Sequence, residues 1–277
     1  MHYLTPVRKD FRYFIKRYIG DLSNDENIVK MFDLIFSSEK KKGIAEGFWT
    51  FDLNVNKDKI LKDILIKKVT ESDRSLKSIF KIIIEEYVSY KNKTRCCIKF
   101  PVYLNYVPKL IEWYPDCRIV HIIRDPRAMS VSRKNDPRGT REKIKRYPYL
   151  AYFIKKFMVL FVVFQYIWTS RLHITLKKLK NYNFFKYEDL LFDPESTIKT
   201  LCEHTGIEFS ANMLKPSKGQ PSSITEQKHE GFDKNAAFRW RKHITPFENK
   251  MITFLTSSSM RRFDYNSNDY LDDNISS

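Results

Sequence analysis

Glycine is scarce in this sequence, at seven among 277 residues. A phosphate loop of the GxxxxGK[ST] kind needs glycines at fixed spacing, so that backbone N–H groups can close on the phosphates. That motif does not occur, which argues against a phosphoryl-transfer enzyme. Cysteine is nearly as sparse. Cys96, Cys97, Cys117 and Cys202 show no CxxC spacing, and adjacent cysteines are badly placed to bridge each other. All four read as small buried hydrophobes of a reducing compartment, and no metal site is expected. Long apolar runs are missing as well. The richest, Phe157 to Trp168, holds only twelve residues, short of the roughly 20 that span a bilayer, and reads as a buried helix. The opening MHYLTPVRKDFRYFIKRY lacks the apolar core of a signal peptide, so a cytoplasmic location is expected. Acids are outnumbered, with 33 Asp+Glu against 50 Lys+Arg and a net charge of +17. That excess invites an anionic partner. Its lysines are dispersed rather than gathered in one arm, so nucleic acid is not expected as the main partner. Membrane association is not expected either.

What is present centres on Cys117 to Asn135, CRIVHIIRDPRAMSVSRKN. Arg118 to Ile123 is a short, β-branched apolar run, the pattern of a buried strand. Polarity then switches at Arg124-Asp125-Pro126-Arg127, where Pro126 suits the first turn of a helix. A strand, a sharp turn and a helix start place backbone N–H groups at the strand's carboxyl end. Ligands of open α/β sheets bind there, and a helix N-terminus favours anions. Arg124 leaves the same strand tip, and Ser132 follows eight residues later. A plain βα junction with a solvated arginine has the same periodicity.

The flanking pattern is α/β. Residues 1–90 read as mainly helical, with apolar spacing at Phe11 to Ile19, Ile28 to Phe36, Ile60 to Ile66 and Ser75 to Tyr90. Gly47 to Phe51 is an aromatic cluster, either core or the wall of an acceptor pocket. Arg95 to Phe100 reads as a strand and Val102 to Trp113 as a helix, so strands 95–100 and 118–123 are expected to be parallel neighbours. A basic connector covers 136–148, and 149–179 holds one long helix or two. Asn181 to Leu191 reads as a strand entering a turn. Asp193-Pro194-Glu195 then starts a helix that ends at Gly206. Residues 215–235 read as a long loop, Pro246 to Leu255 as a helix, and the polar tail as loose.

Four of these stretches resemble sulfotransferases that use 3′-phosphoadenosine 5′-phosphosulfate. RDPRAMSVS is similar to that family's 3′-phosphate signature, which implies that Arg124 and Ser132 hold the 3′-phosphate. An arginine fork and a hydroxyl suit a phosphate because they offer charge-assisted donors from two directions. FFKYEDLLFDPESTIKTLCEHTGIEF resembles the segment that follows, and implies Tyr187 beside the adenine or ribose. The late segment from Asp233 to Thr245 implies Lys234 as a second phosphate ligand, with Trp240 and Arg241 in the family's order. Ile98, Lys99, Phe100, Pro101 and Tyr103 stand where many members have a Glu-Lys-Thr-Pro motif and a histidine. Lysine and proline are kept, so Lys99 is the catalytic candidate, stabilising charge that leaves the sulfuryl group.

The resemblance implies an α/β, three-layer, P-loop nucleotide-kinase-like fold with a short parallel sheet flanked by helices. It implies one domain over 1–277, with a helical part at 1–93, the best-matched part at 94–254 and a loose tail at 264–277. The activity implied is sulfuryl transfer from 3′-phosphoadenosine 5′-phosphosulfate to an acceptor hydroxyl or amine, by in-line displacement without a metal. That acceptor, a small molecule, glycan or peptide, is not written in these residues. Glu46, His121 and Asp125 are available as bases, and spacing selects none of them. No glycine before Lys99 sits in the Pro-Arg/Lys-Ser-Gly-Thr setting of the family's 5′-phosphosulfate loop. A missing first βα unit, a scaffold that has lost its chemistry and a divergent loop all account for that. The alternative function is therefore an inactive or truncated sulfotransferase-like protein that binds a nucleotide or an anionic glycan. Phosphoryl transfer is disfavoured by the absent GxxxxGK[ST].

Overall fold

The structure is a computed structural model that describes residues 9–36, 59–98, 104–136, 140–215 and 232–265. The chain divides into two compact units, Met1–Pro115 and Asp116–Ser277. The first is helical: α1 (Lys9–Phe14), which runs on as a π-helical turn over Ile15–Ile19, α2 (Asp25–Phe36), α3 (Lys59–Thr70), α4 (Leu76–Tyr90) and α5 (Val107–Trp113). Apolar residues three and four apart build its core. Ile28, Met31, Phe32 and Ile35 of α2 meet Leu61, Leu65 and Val69 of α3 and Ile79 and Ile83 of α4. Ser75 caps α4 by accepting the N–H of Ser78 at 3.1 Å. A smaller cluster puts Leu110 and Trp113 of α5 against Phe80.

In the second unit, β1 (Ile119–Ile123) is followed by α6 (Pro126–Lys134), α7 (Thr140–Arg146), α8 (Ala151–Leu176) and β2 (Tyr182–Lys186). Then come α9 (Tyr187–Phe192), α10 (Pro194–Thr205) and α11 (Pro246–Arg261). The two strands pair in parallel, from Ile119 opposite Tyr182 to Ile123 opposite Lys186. Helices α6 to α8 form the long crossover that a parallel pair requires. Boundaries follow local chemistry. Asp125 caps α6 through the N–H of Arg127, with Pro126 at the first position. Asp193 caps α10 in the same way, and Gly206 ends it at φ +63°, a left-handed conformation that costs glycine nothing. Thr245 and Glu248 make a reciprocal capping box at α11. Ala128 and Val131 of α6 pack with Val159 and Val163 of α8, Trp240 and Ile252. Each such buried side chain stabilises by about 1.5–3 kcal/mol.

Several expectations need correction. Residues 95–98 form no strand, residues 99–100 lie outside the described residues, and among the described residues β1 pairs with β2. Arg95, Cys96 and Cys97 are exposed, so this stretch offers no apolar face, whereas Tyr182, Phe184 and Phe185 supply the aromatic, β-forming side chains a buried ladder wants. Cys96 and Cys97 are therefore solvent-facing, Cys117 is intermediate, and Cys202 alone of the four is buried. The connector after Asp136 is helical over Thr140–Arg146, anchored where the Thr140 hydroxyl donates to the carbonyl of Arg133 at 2.7 Å. Glu188 and Asp189 lie in the first turn of α9, not in an open turn. Helix α8 is one element of 26 residues, buried along one face only. The cluster at Gly47 to Phe51 and most of the 215–235 stretch lie outside the described residues.

Candidate functional site

The site forms where β1 and β2 end side by side. The ladder's register carries on past both strands through side chains. Arg124 follows Ile123 and Tyr187 follows Lys186, and the Arg124 guanidinium lies 4.5 Å from the centre of the Tyr187 ring. One residue further, the Asp125 N–H donates to Oε1 of Glu188 at 3.2 Å. Arg124 also donates from Nη2 to the carbonyl of Ala236 at 3.0 Å. That carbonyl belongs to the 3₁₀ turn Lys234–Ala237, which Asp233 caps by accepting the N–H of Asn235 at 3.0 Å. Leu191, Ala236 and Ala237 close the cluster around Tyr187. Arg124, Tyr187 and the turn that carries Lys234 are thus brought together from three separate segments. The Nε of Arg124 is buried and meets no acceptor among the described residues. An unmet buried donor costs about 1–3 kcal/mol.

Beneath this tip lies a network that sequence reasoning missed. Arg127 is 1% exposed. Its Nε donates to both oxygens of Asp125 at 3.0 and 3.1 Å, and its Nη2 to Oδ2 at 2.6 Å. The guanidinium sits 4.7 Å from the Trp240 ring centre. Glu188 accepts the hydroxyl of Tyr265 at 2.5 Å on its other oxygen. Burial pushes the Glu188 carboxyl above the usual carboxylate range, against the lowering effect of the Tyr265 and Asp125 donors. Burial, and then the nearby Glu188 charge, push the Tyr265 phenol up in turn. Asp125, Arg127, Glu188 and Tyr265 together hold the strand tip rigid. No sequence signal singles out Arg127, although an arginine two residues after a capping aspartate is near enough to fold back onto it.

The remaining candidates are distributed as follows. Ser132 is half-buried in the second turn of α6. Lys234 is exposed beside the Arg239–Asp233 ion pair, whose N–O distance is 2.6 Å. Trp240 is buried in the α6–α8 core, so it supports Arg127 from below. Arg241 stacks on Phe238, 4.5 Å from its ring centre. Lys99 and Glu46 lie outside the described residues. Two of the three candidate bases are committed elsewhere: Asp125 to Arg127, and His121 to the Tyr182 hydroxyl, 2.7 Å from its Nδ1. Burial, and then the neighbouring His173, lower the His121 pKa to about 4.

A groove of about 550 Å³ runs along β2 and α10, but its lining carries Asp189, Asp193 and Asp264 against the single cation Lys186. It repels an anionic ligand, which leaves the Arg124 tip as the better site. Among the described residues, no group of three or more His, Cys, Asp or Glu is placed to hold a metal ion.

A cation at a parallel-strand tip, backed by a buried brace, is the kind of α/β site whose charge and position suit an anion. Comparison with known proteins narrows that class. The profile described as the sulfotransferase family matches residues 52–211, more than half of the sequence, and the chain belongs to that family. A search of curated proteins gives no match. Among solved structures, the sulfotransferase domain from the Synechococcus PCC 7002 olefin synthase is similar with a TM-score of 0.50. It is 16% identical over 74% of this chain and 70% of that one. The sulfotransferase domain from the curacin biosynthetic pathway gives a TM-score of 0.52 and 14% identity, over 96% of this chain and 88% of that one. At these identities the likeness speaks for the fold alone.

Proposed function

We propose that this chain moves a sulfuryl group from 3′-phosphoadenosine 5′-phosphosulfate to an acceptor hydroxyl or amine, on a P-loop nucleotide-kinase-like scaffold. The observation that carries the reading is Arg124. It stands at the strand tip against an aromatic ring, with a buried Nε that the described protein leaves unmet. In this reading Arg124 and Ser132 hold the 3′-phosphate, Tyr187 orients the adenosine, and Lys234 adds a second positive charge. Trp240 acts through Arg127, and Arg241 lines the same turn. Lys99 is the proposed stabiliser of charge on the departing phosphate. The bound donor supplies the activated sulfuryl group, and the chain's own residues bind, orient and neutralise it.

Calorimetric titration with 3′-phosphoadenosine 5′-phosphate tests the site. Wild type should bind, and Arg124→Ala should lose at least about 2 kcal/mol, some thirtyfold in affinity, because a charge-assisted contact disappears. Equal affinity in the two proteins would remove Arg124 from the site, and no binding by wild type would remove the site itself. Ser132→Ala should cost less, about 1–2 kcal/mol for one hydroxyl on a charged oxygen. A zero cost there, with Arg124 still important, would leave the strand tip and discard the serine.

A second reading is a family member that binds the nucleotide without turnover. The absence of a Pro-Arg/Lys-Ser-Gly-Thr stretch before Lys99 favours it. Incubation with radiolabelled donor and a panel of hydroxyl and amine acceptors separates the two, since labelled product from any acceptor excludes the inactive form.

A further inference from the structure

Helix α8 presents two apolar faces. One is core, through Met158, Val159, Val162, Val163 and Tyr166. On the other, Tyr149 just ahead of the helix and Phe153, Phe157, Leu160, Phe164 and Trp168 within it are 44–75% exposed. Their steps of three and four residues keep them on one side, in a stripe about 29 Å long at 1.5 Å per residue. A single exposed leucine needs no explanation, but a continuous aromatic stripe marks an interaction site.

Charge identifies what the stripe meets. From Lys143 to Tyr187 there are ten Lys or Arg and no Asp or Glu. Lys143, Lys145 and Arg146 end α7 immediately ahead of the stripe. Lys156 and Arg171 share its face, seven residues after Tyr149 and Phe164, and both are exposed. The Lys156 ammonium lies 4.4 Å from the Tyr152 ring centre, so cation and aromatic are presented together. Tyr149 and Trp168 carry the amphipathic rings that suit an interface between water and lipid, and the Phe and Leu side chains on the same face suit the acyl side of it.

We propose that the α7–α8 face docks the second unit on an anionic lipid surface. The opposite face of α8 is already packed against α6 and α11, so the helix lies on the bilayer and does not cross it. Basic side chains reach the headgroup phosphates, and the aromatic stripe enters the headgroup–acyl boundary. A second copy of this chain is the poorer occupant, because pairing α8 with itself brings two acid-free basic faces together. Nucleic acid offers phosphates but no apolar phase for six exposed hydrophobic side chains.

Vesicle co-sedimentation of the full chain tests this. Binding is expected to vesicles of phosphatidylcholine with phosphatidylserine, to weaken with added salt, and to be much weaker on phosphatidylcholine alone. Phe157→Glu/Phe164→Glu changes two exposed side chains and should keep the helical circular dichroism while reducing vesicle binding by about tenfold or more. Lys145→Glu/Lys156→Glu should reduce binding to the anionic vesicles and remove its salt dependence. The proposal is overturned if wild type stays in the supernatant, or if the phenylalanine variant binds as wild type does. Equal binding to the two kinds of vesicle would overturn its anionic half. A wild type that sediments as a dimer without vesicle binding, and a monomeric phenylalanine variant, would assign the stripe to a second copy instead.

Discussion

Arg127→Met is expected to lower unfolding stability by about 3–5 kcal/mol, the usual cost of removing one partner from a buried ion pair. Arg127 is 1% exposed and Asp125 is 6% exposed. Without the guanidinium, the Asp125 carboxylate stays buried beside the Glu188 carboxyl, with the Arg127 backbone N–H as its remaining donor in the pair. Methionine keeps the apolar contact with Trp240, so the loss reports charge and not volume. Urea unfolding at neutral pH measures it. The double variant Asp125→Asn/Arg127→Met should lose less than Arg127→Met alone, because neither charge is stranded. A single variant within about 0.5 kcal/mol of wild type would reduce the pair to an ordinary surface contact.

Mild acid should destabilise the second unit on its own account. The Tyr182 hydroxyl lies 2.7 Å from Nδ1 of His121 and 2.9 Å from Nδ1 of His173. A phenol has one proton, so it donates to one imidazole and accepts from the other, and the trio is satisfied only with both rings neutral or one charged. Burial lowers the pKa of both histidines: His121 to about 4, with His173 as a second cause, and His173 with Lys177 as a second cause. The sign follows from linkage. The unfolded histidine binds a proton near pH 6.5 and the folded His121 only near 4, so stability is full above 6.5 and lost as pH falls between those values. His121 alone accounts for about 3 kcal/mol across that window. His121→Gln should remove most of the slope, and a wild-type stability flat from pH 7 to 4.5 would contradict the burial of the trio. This chemistry belongs to folding, which is why His121 drops out as a base for transfer.

The strand tip was legible because several local signals agree there. A β-branched run stops at Asp-Pro, and both residues then do what their chemistry suits them for, capping and opening α6. The same logic places α10 between Asp193-Pro194 and Gly206. Arg127 was not legible, since a charged residue just after a helix start ordinarily faces water, and only the fold-back onto Asp125 and the Trp240 ring hides it. Trp240 is a cofactor contact by the late motif, and the structure buries its ring in the α6–α8 core beside Arg127, a placement the motif does not contain. The 95–98 run failed because strand character needs a partner and an apolar face, and neither shows in a stretch whose β-branched content is Ile98. On α8 the apolar window reads as a buried helix, although composition alone cannot say how many faces a helix covers.

The four side chains at the tip have a second consequence, for how the sheet assembles. Two five-residue strands have little ladder with which to choose their alignment, and a slip by one residue inverts every side chain. The Arg124 guanidinium on the Tyr187 ring and the Asp125 backbone N–H on the Glu188 carboxylate add two specific contacts to the end of that ladder. A slip one way would set Arg124 against Lys186, and a slip the other way would set Asp125 against Asp189, like charges in both cases. The residues proposed to receive the anion thus also index the strands. An insertion of one residue between Lys186 and Tyr187 should scramble the topology of the unit as surely as it empties the site.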